Sequence, residues 1–347
     1  MSISFYGMLA IIIACAALVY KHLEQCLYKI NLFVEGLKYM ALSKDKKWRK
    51  PLDPSQFSDA FAPEKVQRKT FVFVRHGESA WNDVFNKGPR PLGRFLLGYG
   101  PTMAWALGYE LYLFLSGAPD SLFYDSPLSP EGLDQVHRLG RFLAVPPPAV
   151  GREKELLALV RGDEGAPTSM LLASNLRRAV STVAAAFSER IARKGDKIVL
   201  HSDLQEISRN VDALSIIPPD GPVEPSFLEK NSTVCDFAAI FAKNVENRSA
   251  LNRGNKPLNS NGLQRMRSFC DYAFGLEEEA LIIGGHSLWF REFFRTFLPY
   301  DTQHVSKRRK LVNAGCVTFT VLRGERENGA LVYMIDPKSI EVIYGGF

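Results

Sequence analysis

Six short apolar runs alternate with helical patterns between residues 70 and 335, and this alternation restricts the fold more than any other feature of the chain. Turn-forming residues bound each run, as is typical of buried strands. The runs are TFVFV (70–74), SMLLAS (169–174), KIVLHS (197–202), ALIIGG (280–285), CVTFTVL (316–322) and ALVYMI (330–335). The helical patterns cover 130–144, 176–193, 260–274 and 288–298. This order predicts an α/β fold of three layers, in which a mainly parallel sheet carries helices on both faces.

Reactive side chains follow four of these runs, at the points where the predicted strands end. Arg75 and His76 come directly after the first run, and residues 174–178 lie at the end of the second. Glu206 follows the third run, and His286 follows the fourth. Ligands of such sheets bind beyond the carboxyl ends of the strands. We therefore expect these segments to line one pocket.

Five motifs containing these residues occur in a characteristic order. They are RHGES-x-x-N (75–82), DSPLSPEG (125–132), SNLRRAVST (174–182), LQE (204–206) and GGHS (284–287), the last followed by Arg291. The ordered set resembles the histidine phosphatase superfamily, in the branch that includes the cofactor-dependent phosphoglycerate mutases. The resemblance runs from about Lys69 to about Val321. It implies a phosphoglycerate mutase-like fold.

The resemblance implies a role for each matching position. His76 would be the nucleophile that forms a phosphohistidine, and Glu206 would protonate the leaving oxygen. The residues that would bind the phosphate are Arg75, Asn82, Arg178, His286 and Ser287, and Arg75, Arg178 and His286 would also be catalytic. The family usually has glycine at the position of Ser287, so the backbone turn there can differ.

Phosphoryl chemistry explains these residue types independently. A phosphoryl group in transfer spreads negative charge over three oxygens, and arginine forks bind such oxygens. A neutral imidazole can attack phosphorus, and the covalent intermediate divides the reaction into two easier steps. The sequence has no metal-ligand spacing, and this chemistry requires no metal or cofactor.

The first twenty residues carry no charged side chain. Residues 3–20 would form a helix of about 27 Å, close to the thickness of a bilayer core. We predict a transmembrane helix over 1–20; a cleaved signal peptide and a buried core helix are the alternatives. Positive charge flanks this span only on its C-terminal side. We therefore expect the body of the protein, residues 51–347, to lie on the cytosolic or matrix-like face of the membrane. A mitochondrial membrane is the first expectation and endoplasmic reticulum the second.

Residues 21–50 read as an amphipathic, basic juxtamembrane helix. An apolar stripe recurs at alternating spacings of four and three: Leu23, Leu27, Ile30, Val34, Leu37 and Ala41. The stripe, within 21–43, would bury against the protein's own body, a partner helix or the membrane surface. The run KDKKWRK (44–50) suits an anionic lipid surface. Eight basic and three acidic side chains give this segment nearly all of the net charge of +6. The body is therefore close to neutral, which argues against a nucleic-acid partner.

Residues 51–347 would form the histidine phosphatase-like domain, with an apolar insertion around 85–123. The insertion includes TMAWALGYELYLFLSG (102–117), which is nearly all apolar and aromatic. It is either an additional core helix or an element that faces a membrane or a partner.

Two classes of function fit this sequence. The first is a membrane-anchored phosphatase that hydrolyses phosphate monoesters on proteins or small molecules, with phosphomutase exchange as a variant. The layout resembles that of membrane-anchored members of the family that act on phosphoproteins in mitochondria. The second is a subunit of a membrane protein complex, in which 21–43 and 102–117 make the contacts. The sequence does not identify the substrate.

Overall fold

The protein is described here by a computed structural model covering residues 5–62, 65–85, 91–145 and 150–347. Its α-helices are α1 (Phe5–Leu42), α2 (Ala80–Phe85), α3 (Leu92–Leu115), α4 (Pro130–Ala144), α5 (Arg152–Arg161), α6 (Arg177–Ala186), α7 (Ser188–Lys194), α8 (Phe227–Lys230), α9 (Phe237–Asn244), α10 (Gly262–Phe274) and α11 (Ser287–Phe297). Its β-strands are β1 (Gln67–Arg75), β2 (Ser169–Ser174), β3 (Ile198–His201), β4 (Val245–Glu246), β5 (Ala280–Gly285), β6 (Cys316–Glu325), β7 (Leu331–Ile335) and β8 (Glu341–Tyr344).

These strands form one mixed sheet, in the order β4-β3-β2-β5-β1-β6-β7, with β8 also pairing with β6. From β4 to β1 every neighbouring pair is parallel. Strand β6 is antiparallel to β1, β7 and β8. The expected parallel arrangement therefore holds for one half of the sheet. The β6–β7 connection is too short for the crossover that parallel strands need, so these two strands are antiparallel.

Alternate residues of β1 face two different hydrophobic cores. Val72 and Val74 belong to the cluster that includes residues of α4 and α6. Phe71 and Phe73 belong to the cluster that includes residues of α10 and α11. Because successive side chains of a strand point to opposite faces, the sheet lies between two helical layers. The three-layer α/β prediction is confirmed.

The six predicted strands and four predicted helical regions are all present, with two differences. The helical pattern over 176–193 is two helices, because Phe187 between α6 and α7 has the non-helical angles φ −110° and ψ 18°. Strands β4 and β8 lie outside the predicted runs. Both are short, and each contains a glutamate, so neither produces an apolar run.

The N-terminal arm, residues 1–50, contains helix α1. Residues 1–4 of the predicted membrane span lie outside the described residues. Among the helices that the structure describes, none has both the length and the apolar composition needed to cross a membrane. The transmembrane helix over 1–20 therefore stays a prediction from sequence, without structural support.

The arm contacts the body through a different face from the predicted stripe. The stripe residues are exposed, with Leu23 and Leu27 at 55% and 60%. Tyr39, on another face of α1, is buried in a cluster with Tyr124 and Leu214. The helix ends at Leu42, well before residue 50. The expectation of a helix over 21–50 is wrong beyond this point, because the chain turns there to bury Ser43 and Asp45.

Helix α3 forms most of the insertion, and residues 86–90 lie outside the described residues. Ala106 and Leu113 are buried, whereas Trp105 and Leu111 are exposed at 52% and 57%. Phe114 is half-buried. The helix therefore covers the body with one side and exposes a wide apolar surface on the other. It is not an inner core helix.

Candidate active site

The two predicted histidines lie side by side at the ends of neighbouring parallel strands. Arg75 at the end of β1 is paired in register with Gly285 at the end of β5. The backbone N–H of His76 donates to the carbonyl of Gly285 at 3.0 Å. The rings of His76 and His286 are 5.1 Å apart between centroids. Two motifs separated by about two hundred residues therefore meet at one point of the sheet.

The local structure favours a neutral, correctly oriented imidazole at His76. Its Nδ1 lies 2.5 Å from the carbonyl oxygen of Gly77, so Nδ1 carries the proton and Nε2 keeps its lone pair. Burial holds the pKa of His76 well below its ordinary value, and the positive charges of Arg178 and Arg75 lower it further. A neutral imidazole with an available Nε2 is the form that can attack phosphorus.

Glycine at position 77 permits this close packing. A Cβ atom there would lie 2.6 Å from the backbone oxygen of Gly132, a distance that real Cβ atoms do not tolerate. The turn after β1 and the first turn of α4 therefore touch through backbone atoms. This contact fixes the direction in which the chain leaves His76.

Two arginines, Arg178 buried and Arg75 partly buried, supply positive charge to the site. Arg178, in the first turn of α6, is 2% exposed. Arg75 donates from Nη1 to the carbonyl of Leu311 at 2.5 Å. Burial lowers the pKa of Arg75 to about 10, so it is still cationic at neutral pH. Within the described part of the chain, the Nε atoms of both arginines are buried without a hydrogen-bond partner. Such unsatisfied N–H donors fit an anionic ligand.

The Glu206 carboxylate lies against the beginning of α11. Its oxygens accept hydrogen bonds from the backbone N–H groups of Ile207 at 2.9 Å, Trp289 at 3.0 Å and Leu288 at 3.4 Å. His286, the N-cap of this helix, makes no side-chain capping bond. Glu206 therefore satisfies helix N–H groups directly after the second histidine, which places it at the site.

The second histidine is buried at the site. Among the residues that the structure describes, neither ring nitrogen of His286 has a hydrogen-bond partner. Burial, followed by the charge of Arg178, holds its pKa well below the ordinary value. Ser287 is buried at the beginning of α11. Asn82 is half-buried on α2, where its backbone N–H donates to the Ser79 hydroxyl at 3.2 Å. The phosphate-binding roles of Asn82 and Ser287 stay predictions.

The structure adds residues that no sequence motif indicates. Asp212 contacts Arg178 through both its carbonyl and its carboxylate. Lys256 is buried, and its Nζ donates to Asp45 at 3.0 Å and to the carbonyl of Ser208 at 2.9 Å. Exposed Lys310 adds positive charge that lowers the pKa of His76 slightly. These residues come from loops without periodicity, so their proximity depends on the tertiary fold alone.

The chain is similar to solved structures of phosphatases at low sequence identity. No family model and no curated protein matches the chain. Among solved structures, a mycobacterial glucosyl-3-phosphoglycerate phosphatase is 13% identical over 77% of this chain and 97% of its own, with a TM-score of 0.35. A phosphoserine phosphatase from Entamoeba histolytica is 14% identical over 77% of this chain and 96% of its own, with a TM-score of 0.29. At such similarity, the chemistry of this chain rests on its own residues.

Proposed function

We propose that the protein is a phosphatase that hydrolyses phosphate monoesters through a phosphohistidine on His76. One observation carries the proposal. Two buried imidazoles, those of His76 and His286, lie 5.1 Å apart between ring centroids. The charge of Arg178 acts on both of them. This arrangement combines a neutral nucleophile with a cationic site for phosphate oxygens.

The reaction proceeds in two displacements. The lone pair on Nε2 of His76 attacks phosphorus, the ester P–O bond breaks, and the leaving oxygen takes a proton from Glu206. Water then attacks the phosphorus of the phosphohistidine. The N–P bond breaks, its electron pair returns to Nε2, and inorganic phosphate leaves while Glu206 regains a proton. Arg75 and Arg178 bind the equatorial oxygens, whose charge grows in the transition state.

Substitution of the nucleophile tests this proposal. His76→Asn keeps a polar side chain that can still bond to the Gly77 carbonyl, but it cannot form a phosphohistidine. We expect loss of phosphate release from para-nitrophenyl phosphate, and loss of acid-labile, alkali-stable labelling by a radioactive phosphate ester. His137→Asn, at an exposed histidine of α4, is the matched control and should retain both. Near-normal turnover by His76→Asn would refute the mechanism.

Hydrolysis and mutase exchange share these residues, and product analysis separates them. A phosphatase releases inorganic phosphate in proportion to the ester consumed. A mutase returns the phosphoryl group to an organic acceptor. We favour hydrolysis because a mutase must exclude water and retain a bisphosphate intermediate. Phosphoproteins are the proposed substrate class, on the resemblance to membrane-anchored family members alone.

A second candidate function is that of a subunit in a membrane protein complex. The observation that favours it is the apolar surface of α1 and α3. Large apolar side chains on both helices are exposed in the described chain: Leu27, Phe33, Leu37, Trp105, Leu107, Leu111 and Leu115. Exposed apolar area of this kind marks contact surfaces. Sizing the native protein in mild detergent tests it, and a monomer-sized species would oppose the subunit function.

Attachment to a membrane belongs to both candidate functions, and it rests on the sequence. Residues 3–20 would insert, and the basic side chains of 44–50 would contact anionic lipid. Those basic side chains are exposed: Lys44, Lys46, Lys47, Arg49 and Lys50. A mitochondrial membrane is preferred over endoplasmic reticulum. Extraction of native membranes at alkaline pH tests attachment, and release into the supernatant would count against insertion.

A further inference from the structure

Asp212 engages the guanidinium group that the proposed reaction assigns to substrate phosphate. Its carbonyl oxygen accepts a hydrogen bond from Nη1 of Arg178 at 2.7 Å, and its Oδ2 lies 3.3 Å from Nη2. Both terminal nitrogens of the arginine therefore face one aspartate. Arg178, His76 and His286 are 2%, 3% and 0% exposed. In this arrangement all three side chains are almost closed to solvent.

The N-terminal arm packs against the segment that carries Asp212. Helix α1 contacts the short turn that contains this aspartate. Tyr39 of α1 is buried in a cluster with Leu214, two residues further along the chain. The Tyr28 hydroxyl donates to the carbonyl of Ile216 at 3.3 Å. The arm and Arg178 therefore both contact this segment, the arm at several points and Arg178 at Asp212.

Two further features bring the arm and this segment into close contact. Gly36 has no side chain, and a Cβ atom there would meet the hydroxyl of Tyr124 first and would lie 2.9 Å from a methyl group of Val211. Beyond the end of α1, Asp45 binds Lys256 at 3.0 Å, and Lys256 donates to the carbonyl of Ser208 at 2.9 Å. The arm is therefore attached to the segment on both sides of Asp212.

We propose that this arrangement is autoinhibitory: the arm holds Asp212 against Arg178, and substrate phosphate must displace it. The proposal rests on the phosphatase function, because that function assigns Arg178 to phosphate. A carboxylate and a phosphate offer a guanidinium the same kind of charged acceptor, so they compete for it. The tethered carboxylate competes at a high effective concentration. Withdrawal of α1 from the turn releases Asp212 and raises activity.

Phosphate affinity tests this proposal directly. Inorganic phosphate is titrated into the full-length protein in detergent, and its affinity is measured by calorimetry. Asp212→Asn removes the competing charge, and Gly36→Leu forces α1 away from both Tyr124 and Val211. We expect each variant to bind phosphate about tenfold more tightly than the wild type, as is typical of coupled sites. Asp301→Asn, at an exposed aspartate, and Gly108→Leu, at a helical glycine with open space around its Cβ position, should leave the affinity unchanged.

The double variant strengthens the test. Asp212→Asn and Gly36→Leu act on the same contact, so together they should bind phosphate no more tightly than Asp212→Asn alone. Unchanged or weaker affinity in Asp212→Asn would overturn the proposal. Lost turnover with unchanged affinity would also overturn it, and would indicate that Asp212 donates the proton.

The His76 labelling experiment separates this proposal from the proposed function. A wild-type chain that becomes labelled, with unchanged phosphate affinity in Asp212→Asn, overturns the autoinhibition alone. If the wild type is not labelled and no variant binds phosphate, both the autoinhibition and the proposed function are overturned. Thermal unfolding followed by circular dichroism confirms that each variant is folded. Asp212→Asn changes charge while conserving shape, so it decides the outcome if Gly36→Leu does not fold.

Discussion

The backbone N–H of Gly77 donates a hydrogen bond to the hydroxyl of Thr182 at 3.1 Å, and both residues are buried. The same hydroxyl donates to the carbonyl of Arg178 at 2.8 Å. Gly77 also accepts the hydrogen bond from Nδ1 of His76. One hydroxyl therefore ties the turn that positions the proposed nucleophile to the helix that supplies the phosphate-binding arginine.

Replacing this hydroxyl should impair turnover more than substrate binding. Thr182→Val conserves shape but leaves the buried Gly77 N–H without an acceptor, at a cost of about 1–3 kcal/mol in unfolding free energy. The His76 turn then loses its attachment to α6, so kcat should fall more than KM changes. Thr182→Ser keeps the hydroxyl and should recover most of kcat. Steady-state kinetics of both variants, with denaturant unfolding, check this, and equal kcat in Thr182→Val and the wild type would contradict it.

The acid limb of the pH–rate profile should lie below the ordinary histidine range. Burial, together with Arg178 and Arg75, holds the pKa of His76 well below 6.5, so the nucleophile is still neutral as the pH falls through that value. The profile of kcat/KM reports the pKa values of groups in the free enzyme. We expect no loss of kcat/KM attributable to His76 between pH 7.5 and about 6.5. Titration of the His76 ring signal by NMR, assigned with His76→Asn, checks the same pKa directly. An apparent pKa at or above 6.5 would contradict it.

The buried ion pairs of Asp45 should make the arm necessary for stability. Burial alone would raise the pKa of Asp45, but the positive charges of Lys256 and Arg265 hold this pKa below its ordinary value. Asp45→Asn leaves two buried cations without their counter-ion, which should cost about 3–5 kcal/mol of unfolding free energy. Denaturant unfolding against Asp301→Asn measures the loss. Adding Lys256→Met to Asp45→Asn should recover part of it, and no difference from the control would show that the arm does not pack as described.

The sequence predicts the strands and the reactive residues well because both depend on local patterns. TFVFV is a continuous apolar run, and it becomes the central strand β1 with His76 at its end. The parallel pairing of β1 with β5 then brings His286 to the same place. The packing face of α1 is not predictable in this way. That face relies on Gly36 and Tyr39, which add nothing to an apolar periodicity, whereas the apolar stripe that includes Leu27 is exposed.

The position of Asp212 also lies beyond what the sequence can predict. A single aspartate in a loop has no spacing or motif that marks it. Its contact with Arg178 joins a loop to α6, which are distant in the sequence. Residues 205–215 are recognisable as a loop near the predicted site, but the side chain that faces the arginine follows only from the tertiary structure.

A structural histidine outside the proposed mechanism should control part of the acid sensitivity of the fold. His201 is 3% exposed, and burial lowers its pKa to about 4. Its Nδ1 accepts the backbone N–H of Asp203 at 3.3 Å, and its ring packs edge-on against Phe269. In the unfolded chain, this histidine has a pKa near 6.5. Between about 4 and 6.5 the unfolded state therefore binds more protons than the folded state, and the unfolding free energy falls as the pH falls.

His201→Asn removes this contribution while keeping an acceptor near the position of Nδ1. The wild type should lose on the order of 3 kcal/mol more unfolding free energy than the variant when the pH is lowered from 6.5 to about 4. Buried Asp125, whose pKa is raised to about 6, changes stability with pH in the opposite direction. Both proteins contain Asp125, so its contribution cancels and the difference between them reports His201. Urea unfolding at a series of pH values measures the difference. Parallel stability curves for the two proteins would show that His201 is protonated equally in the folded and unfolded states, contrary to the burial of its ring.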